Sequence, residues 1–192
     1  MAASSLHVKA GDGIGGEGIT VAPKDNQYGG VVIWLHGLGD TAMGWYSAMA
    51  QLSVKNTKFI LPTATSRPIA INNGFRMPGW SDVYGLSLDS REDAEGFDSS
   101  AVRVGAIIAA ERANGVPANK IVVGGFSQGG ALALHVALRY PETLGGCVAC
   151  SGWLPLREAY PAALSPTATA VPILMGHGTS DMVVQFSWGQ SR

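Results

Sequence analysis

Short apolar runs rich in Val, Ile and Leu recur along this chain, at Val31–Leu35, Phe59–Leu61, Ile121–Gly125, Gly146–Cys150 and Val171–Met175. Most are continuous rather than alternating, the pattern of parallel strands covered on both faces. Two earlier stretches, Leu6–Lys9 and Ile19–Val21, fit an antiparallel hairpin at a sheet edge. Segments with helical spacing lie between the runs. Trp45–Ser53 is short and amphipathic. Arg91–Asn114 is the longest. Ser90-Arg-Glu-Asp93 supplies a variant of the capping box at its start, and Asn114-Gly115 followed by Pro117 supplies its stop. Gln128–Tyr140 follows the run ending at Gly125 and stops before Pro141. Strand and helix alternate, which predicts right-handed crossovers and an α/β fold. Its sheet is mostly parallel and doubly wound, with helices on both faces. The chain 1–192 reads as a single domain. In such sheets, sites lie beyond the carboxyl ends of the strands. Three polar loops fall there: His36–Asp40, Phe126–Gly130 and Gly176–Asp181.

Composition narrows the picture. The chain is 46% hydrophobic and 14% charged with a net charge of −1. That balance carries no electrostatic footprint for nucleic acid or an anionic membrane. No stretch of about twenty apolar residues exists, so no transmembrane segment is predicted. Met1-Ala-Ala-Ser-Ser5 lacks a basic n-region and an apolar h-region, so no secretory signal is predicted. The two cysteines, Cys147 and Cys150, have C-x-x-C spacing. On the predicted strand they point to opposite faces, which favours two structural thiols over a redox or metal pair. A cytoplasmic location, with no metal and no cofactor, is the expectation.

The chemistry concentrates at Gly125-Phe-Ser127-Gln-Gly129. A lone G-x-S-x-G is weak, but here a strand precedes it and a helix follows, the context of an α/β-hydrolase nucleophile elbow. The helix N-terminus adds backbone N–H groups and a positive dipole end beside a developing oxyanion. A phosphate-binding turn would want a lysine, and the motif offers none. His36-Gly-Leu-Gly-Asp40 follows the first central strand, where this fold draws its second oxyanion donor. The backbone N–H groups of Leu38 and Gln128 are therefore the candidate oxyanion hole. His36 itself reads as a structural imidazole bonded to backbone. Asp181 ends Gly176-His-Gly-Thr-Ser-Asp181 and follows the serine in the order Ser, acid, His, so it is the candidate triad acid. An Asx-turn is its alternative role.

Together these motifs resemble the acyl-protein thioesterase and carboxylesterase branch of the α/β-hydrolases. The matching residues are Trp34-Leu-His-Gly-Leu-Gly-Asp40, Gly124-Gly-Phe-Ser-Gln-Gly-Gly-Ala131 and Gly176-His-Gly-x-x-Asp181. Met77-Pro-Gly-Trp80-Ser-Asp82 and Ser151-Gly-Trp-Leu-Pro-Leu156 are similar to that family as well. The resemblance implies a serine hydrolase of acyl thioesters and esters. Its substrates would be S-acylated (palmitoylated) proteins, lysophospholipids or small acyl esters. It also implies that Ala70–Met77 is a lid-like loop. Trp80, Leu86, Trp153 and Leu154 become candidate walls of an acyl channel, although without the resemblance they read equally as core.

One part of the pattern is missing. No histidine follows Asp181, whereas the resemblance places the catalytic histidine after the acid and past a further strand. The chain thus reads as truncated at its C-terminus, lacking the last strand and helix, with no triad histidine of its own. His135 lies two helical turns from Ser127, about 12 Å at 1.5 Å per residue. His7 belongs to the N-terminal edge, and His177 precedes the acid. The alternative to a hydrolase is therefore a catalytically impaired product that binds acyl groups or a partner. An uncovered sheet edge would invite self-association.

Overall fold

The computed structural model describes residues 6–52, 54–87 and 89–190. Nine strands form: β1 (Leu6–Ala10), β2 (Gly18–Pro23), β3 (Gly30–Leu35), β4 (Thr57–Pro62), β5 (Ser66–Ile69), β6 (Phe75–Pro78), β7 (Ile121–Phe126), β8 (Gly146–Cys150) and β9 (Ile173–Gly176). Four α-helices accompany them: α1 (Ala42–Gln51), α2 (Ala94–Ala113), α3 (Gln128–Arg139) and α4 (Phe186–Gln190). The main sheet runs β1-β2-β4-β3-β7-β8-β9. Its β1–β2 and β2–β4 pairs are antiparallel, and β4–β3–β7–β8–β9 are parallel throughout. The predicted edge hairpin and the mostly parallel sheet are both present.

Alternation along the parallel strands splits the core in two. Ile33, Val123, Cys147 and Ala149 face a cluster built with Phe97, Val104, Ile107 and Ile108 of α2 and most of α3. Trp34 faces the other cluster, with Met49 of α1 and Phe59 and Leu61 of β4; Val148 and Cys150 pack against it. The two cysteines thus sit on opposite faces, and both are free. Burial pushes the Cys147 thiol up to about 12. α3 is buried from Gln128 through Ala137, between the sheet and α2. That placement explains its nearly all-apolar sequence.

Four elements differ from expectation. α2 starts at Ala94, not Arg91, because Asp93 is its N-cap and its carboxylate accepts the Gly96 N–H at 3.0 Å. Ser90 instead bonds Ser87. α1 starts at Ala42, three residues early, where the Thr63 hydroxyl accepts the Ala42 N–H; the predicted end at Ser53 lies outside the described residues. β9 starts at Ile173 because Pro172 has no N–H for the ladder. The expected lid-like loop Ala70–Met77 is the 3-10 turn Ala70–Asn72, the Asn73-Gly74 turn and most of β6, and it connects β5 to its antiparallel partner β6. Asn73 and Gly74 turn it with φ of 54° and 77°, the left-handed pair that an Asn-Gly dipeptide supplies. β9 forms one edge of the sheet, and Ile173, Leu174 and Met175 are exposed there.

Candidate active site

Ser127 stands between β7 and α3 with φ 54° and ψ −121°. A non-glycine residue held at such angles costs about 1–3 kcal/mol, and persists only where its surroundings enforce it. Here the Ser127 N–H donates to the Cys150 carbonyl at 2.8 Å, and the Ser127 carbonyl accepts from Ala131 N–H at 3.0 Å. Two glycines let the turn close. A Cβ on Gly125 would lie 2.5 Å from the Gly129 backbone, and one on Gly129 would lie 2.1 Å from the Leu35 oxygen. A side chain at either would push the elbow off β3.

The loop after β3 lies against the serine: a Cβ built on Gly37 would be 3.5 Å from Ser127 Cβ. In that loop Gly39 N–H donates to Pro78 and Asp40 N–H donates to Gly37. No turn bond among the described residues takes up the Leu38 N–H. Gln128 opens α3, where first-turn N–H groups have no acceptor within the helix. Among the described residues, neither the Leu38 N–H nor the Gln128 N–H thus meets a backbone acceptor.

Side chains beneath the elbow are tied together. His36 is buried, its Nδ1 donates to the Gly37 carbonyl at 2.7 Å, and its Nε2 accepts Ala64 N–H at 2.9 Å. Burial holds its pKa below the ordinary histidine value. The Gln128 side chain spans to the segment after β6: its Oε1 accepts Trp80 N–H at 2.9 Å, and its Nε2 donates to the Ser81 carbonyl and hydroxyl. Trp80 Nε1 donates to the His36 carbonyl at 2.8 Å. Gln128 was visible in the sequence only as a backbone donor; its side chain turns out to anchor the neighbouring wall.

Asp181 follows β9. Its Oδ1 accepts Val183 N–H at 2.9 Å and Val184 N–H at 3.0 Å, and its Oδ2 lies 3.7 Å from His177 Nε2. The Val183 N–H, with the Val184 N–H and the Ser151 hydroxyl, holds its carboxyl below the usual range. The two N–H bonds make an Asx-type turn at this residue. The strand ends are linked in sequence: Ser127 N–H to the Cys150 carbonyl and Ser151 N–H to the Gly176 carbonyl.

Three of the four histidines have ring nitrogens hydrogen-bonded to other groups, His36 as described above. His135 is buried on α3 with Nε2 2.9 Å from Asp98 Oδ1. His177 Nε2 bonds the Val184 carbonyl at 2.7 Å. His7 is on β1, four strands from β7 and so about 19 Å away at ~4.8 Å per strand.

Of the candidate channel residues, Trp153 and Leu154 line a small cavity of about 50 Å³, with Ser81, Tyr84, Phe97 and Trp188. Trp80 lies in the core at 1% exposure and Leu86 is exposed, and neither is on that lining.

A mostly parallel sheet with a strand–serine–helix elbow at the carboxyl end of β7 is the architecture of an α/β-hydrolase. Within that class, the chain belongs to the Phospholipase/Carboxylesterase family, which matches residues 17–192. It is 44% identical over 154 residues to acyl-protein thioesterase 1 of Schizosaccharomyces pombe, covering 80% of this chain and 69% of that protein. It is 40% identical over 177 residues to acyl-protein thioesterase 1 of Cryptococcus neoformans, covering 90% and 74%. The crystal structure of Zea mays acyl-protein thioesterase 2 superposes with a TM-score of 0.79 at 34% identity, covering 97% of this chain and 81% of that one. Arabidopsis thaliana SOBER1 superposes with a TM-score of 0.80 at 36% identity, covering 84% and 79%.

Proposed function

We propose that this protein hydrolyses acyl thioesters and esters through a serine nucleophile, as an acyl-protein thioesterase (palmitoyl-protein hydrolase) of the carboxylesterase type. The observation that carries this is the strained Ser127 between β7 and α3, with the loop after β3 packed against it. Ser127 Oγ attacks the acyl carbonyl and gives its proton to water at the site. The Leu38 and Gln128 N–H groups receive the oxyanion. The thiol or alcohol leaves with that proton, and water then releases the acid from the acyl-serine. Asp181, its carboxyl held below the usual range, stabilises the positive charge that develops as that proton leaves. None of the four histidines placed above takes that proton: His36 has both ring nitrogens bonded to backbone, His135 and His177 are hydrogen-bonded to Asp98 and to the Val184 carbonyl, and His7 lies on β1.

The relatives named acyl-protein thioesterase support an S-acylated protein as substrate, with lysophospholipids and small acyl esters in the same chemical class. The cytoplasm, where such proteins present acylated cysteines, is the proposed location. Among the described residues no helix is long and apolar enough to cross a membrane. We further propose that the exposed edge strand β9 mediates self-association. A palmitoyl-thioester peptide assayed for released thiol tests the activity. Turnover should fall by about a thousandfold or more in Ser127→Ala, and equal rates for the two proteins overturn the reading.

A further inference from the structure

Two residues that follow β4, Thr63 and Ala64, bracket the loop that carries the Leu38 N–H. At the start of that loop, Ala64 N–H donates to His36 Nε2 at 2.9 Å. At its end, where the chain enters α1, the Thr63 hydroxyl accepts Ala42 N–H at 3.1 Å. Leu38 lies between these ties, and Thr63, Ala64, His36 and Ala42 are all buried. Thr63 is itself fixed from outside the site. Its N–H donates to the Glu17 carbonyl at 2.8 Å, and its carbonyl accepts Arg103 Nη1–H at 2.7 Å. Arg103 belongs to α2, 40 residues further along the chain. Its Nη2 also donates to the Glu17 carbonyl at 3.0 Å, and Nε and Nη2 donate to Asp12 Oδ2 at 3.1 and 2.7 Å. Asp12 is fully buried, and its Oδ1 accepts the Ile14 and Gly16 N–H groups, folding the β1–β2 loop around the guanidinium. A Cβ on Gly16 would lie 2.6 Å from Arg103 Nη2, so only glycine lets the loop close there. His36 also feels this group: burial first, and the Arg103 charge with it, push its pKa down.

We infer that Arg103 is a positioning residue for the oxyanion donor: through Thr63 and Ala64 it sets where the loop presents the Leu38 N–H. What that donor receives rests on the serine-hydrolase reading; the chain of bonds does not. Among the described residues no hydrogen bond joins Arg103 to the Ser127 elbow, so its influence on the reaction passes through Thr63. An arginine is needed because its planar fork of donors serves a carboxylate and two carbonyls at once. Lysine keeps the charge beside buried Asp12 but ends in a single nitrogen, so Arg103→Lys must release part of the tie to Thr63. A loosened Thr63 frees both ends of the donor loop, and a donor off its position stabilises the oxyanion less.

The test compares the full chain with Arg103→Lys, Thr63→Val and Thr63→Ser on p-nitrophenyl acetate. Arg103→Lys and Thr63→Val should each lower kcat about tenfold, part of the roughly hundredfold that ~1 Å of misplacement costs. KM should barely move, because the donor acts on the transition state rather than on the bound ester. Thr63→Ser keeps the hydroxyl and should keep the parent kcat. A merely structural tie would lower the thermal midpoint and leave kcat of the folded protein unchanged; that result, or a raised KM at constant kcat, overturns the inference. Hydrogen exchange of the peptide spanning residues 36–42, read by mass spectrometry, needs no turnover. It should quicken about fivefold in Arg103→Lys and in Thr63→Val, the scale of one lost hydrogen bond, while the α3 peptide exchanges as in the parent. Unchanged exchange in the 36–42 peptide, or equal quickening in both peptides, overturns the inference. If no form turns over ester, the hydrolase reading fails while the exchange measurement still decides the role of Arg103.

Discussion

The elbow around Ser127 and the loop around Asp181 lie two strands apart on the same side of the sheet, and they are held by different means. At the elbow, long-range contacts fix every component. Cys150 bonds the serine backbone, Leu35 crowds Gly129, and Gln128 and His36 reach the segments after β6 and β4. The acid loop sits beyond β9, an edge strand whose side chains are exposed. Asp181 is held by N–H groups two and three residues along its own chain. A strained nucleophile needs a rigid frame, because its unfavourable backbone angles survive only under tertiary constraint. An acid that stabilises a developing charge needs its own charge and direction, which a local turn can supply. Changes at the elbow should therefore cost stability, and changes at the acid loop should cost rate with little loss of stability.

The largest expected effect is on rate. Asp181→Ala should lower kcat by about a hundredfold, the scale of one lost charge-stabilising group, with the thermal midpoint nearly unchanged. A large drop in the midpoint would instead make Asp181 a structural turn residue. Gln128→Ala reverses the pattern. It strands the buried Trp80 N–H and the Ser81 carbonyl, so chemical denaturation should show about 2–3 kcal/mol of lost stability. A loss under 0.5 kcal/mol, of the size usual at the surface, would mean the wall beside the elbow is held by packing alone.

How much of this was legible beforehand follows from how local each signal is. The elbow could be read because its motif, its strand and its helix are contiguous from Ile121 to Arg139. The sheet could be read because each parallel strand is a continuous apolar run. The Gln128 and Glu92 side chains were missed because their partners lie 47 to 64 residues away. The hairpin β5–β6 was missed although Asn73-Gly74 is a local turn signal. Its strands are only four residues each, too short to show alternation. The start of α2 was misplaced because two acids stand in a row. Asp93 took the cap, leaving Glu92 free to cross to Trp153.

A smaller effect separates the two regions by pH. Buried His36 titrates below the ordinary 6.5, so the fold favours its neutral form. Its stability contribution is complete above pH 6.5 and is lost as pH falls through its lower folded value. Asp181 also titrates below its ordinary 3.8, so its contribution is complete above 3.8 and is lost only below that. The thermal midpoint should therefore begin to fall on the acid side of pH 6.5, and this first limb should shrink in His36→Gln. A midpoint flat from pH 7 to 4 would contradict the buried, backbone-bonded imidazole.

The central claim is that Ser127 is the nucleophile. Treating the protein with a fluorophosphonate and mapping the adduct by peptide mass spectrometry tests it most directly. The account predicts one adduct, on the peptide carrying Ser127, and none there in Ser127→Ala. An adduct on another residue that persists in Ser127→Ala, or no adduct at all, would contradict it.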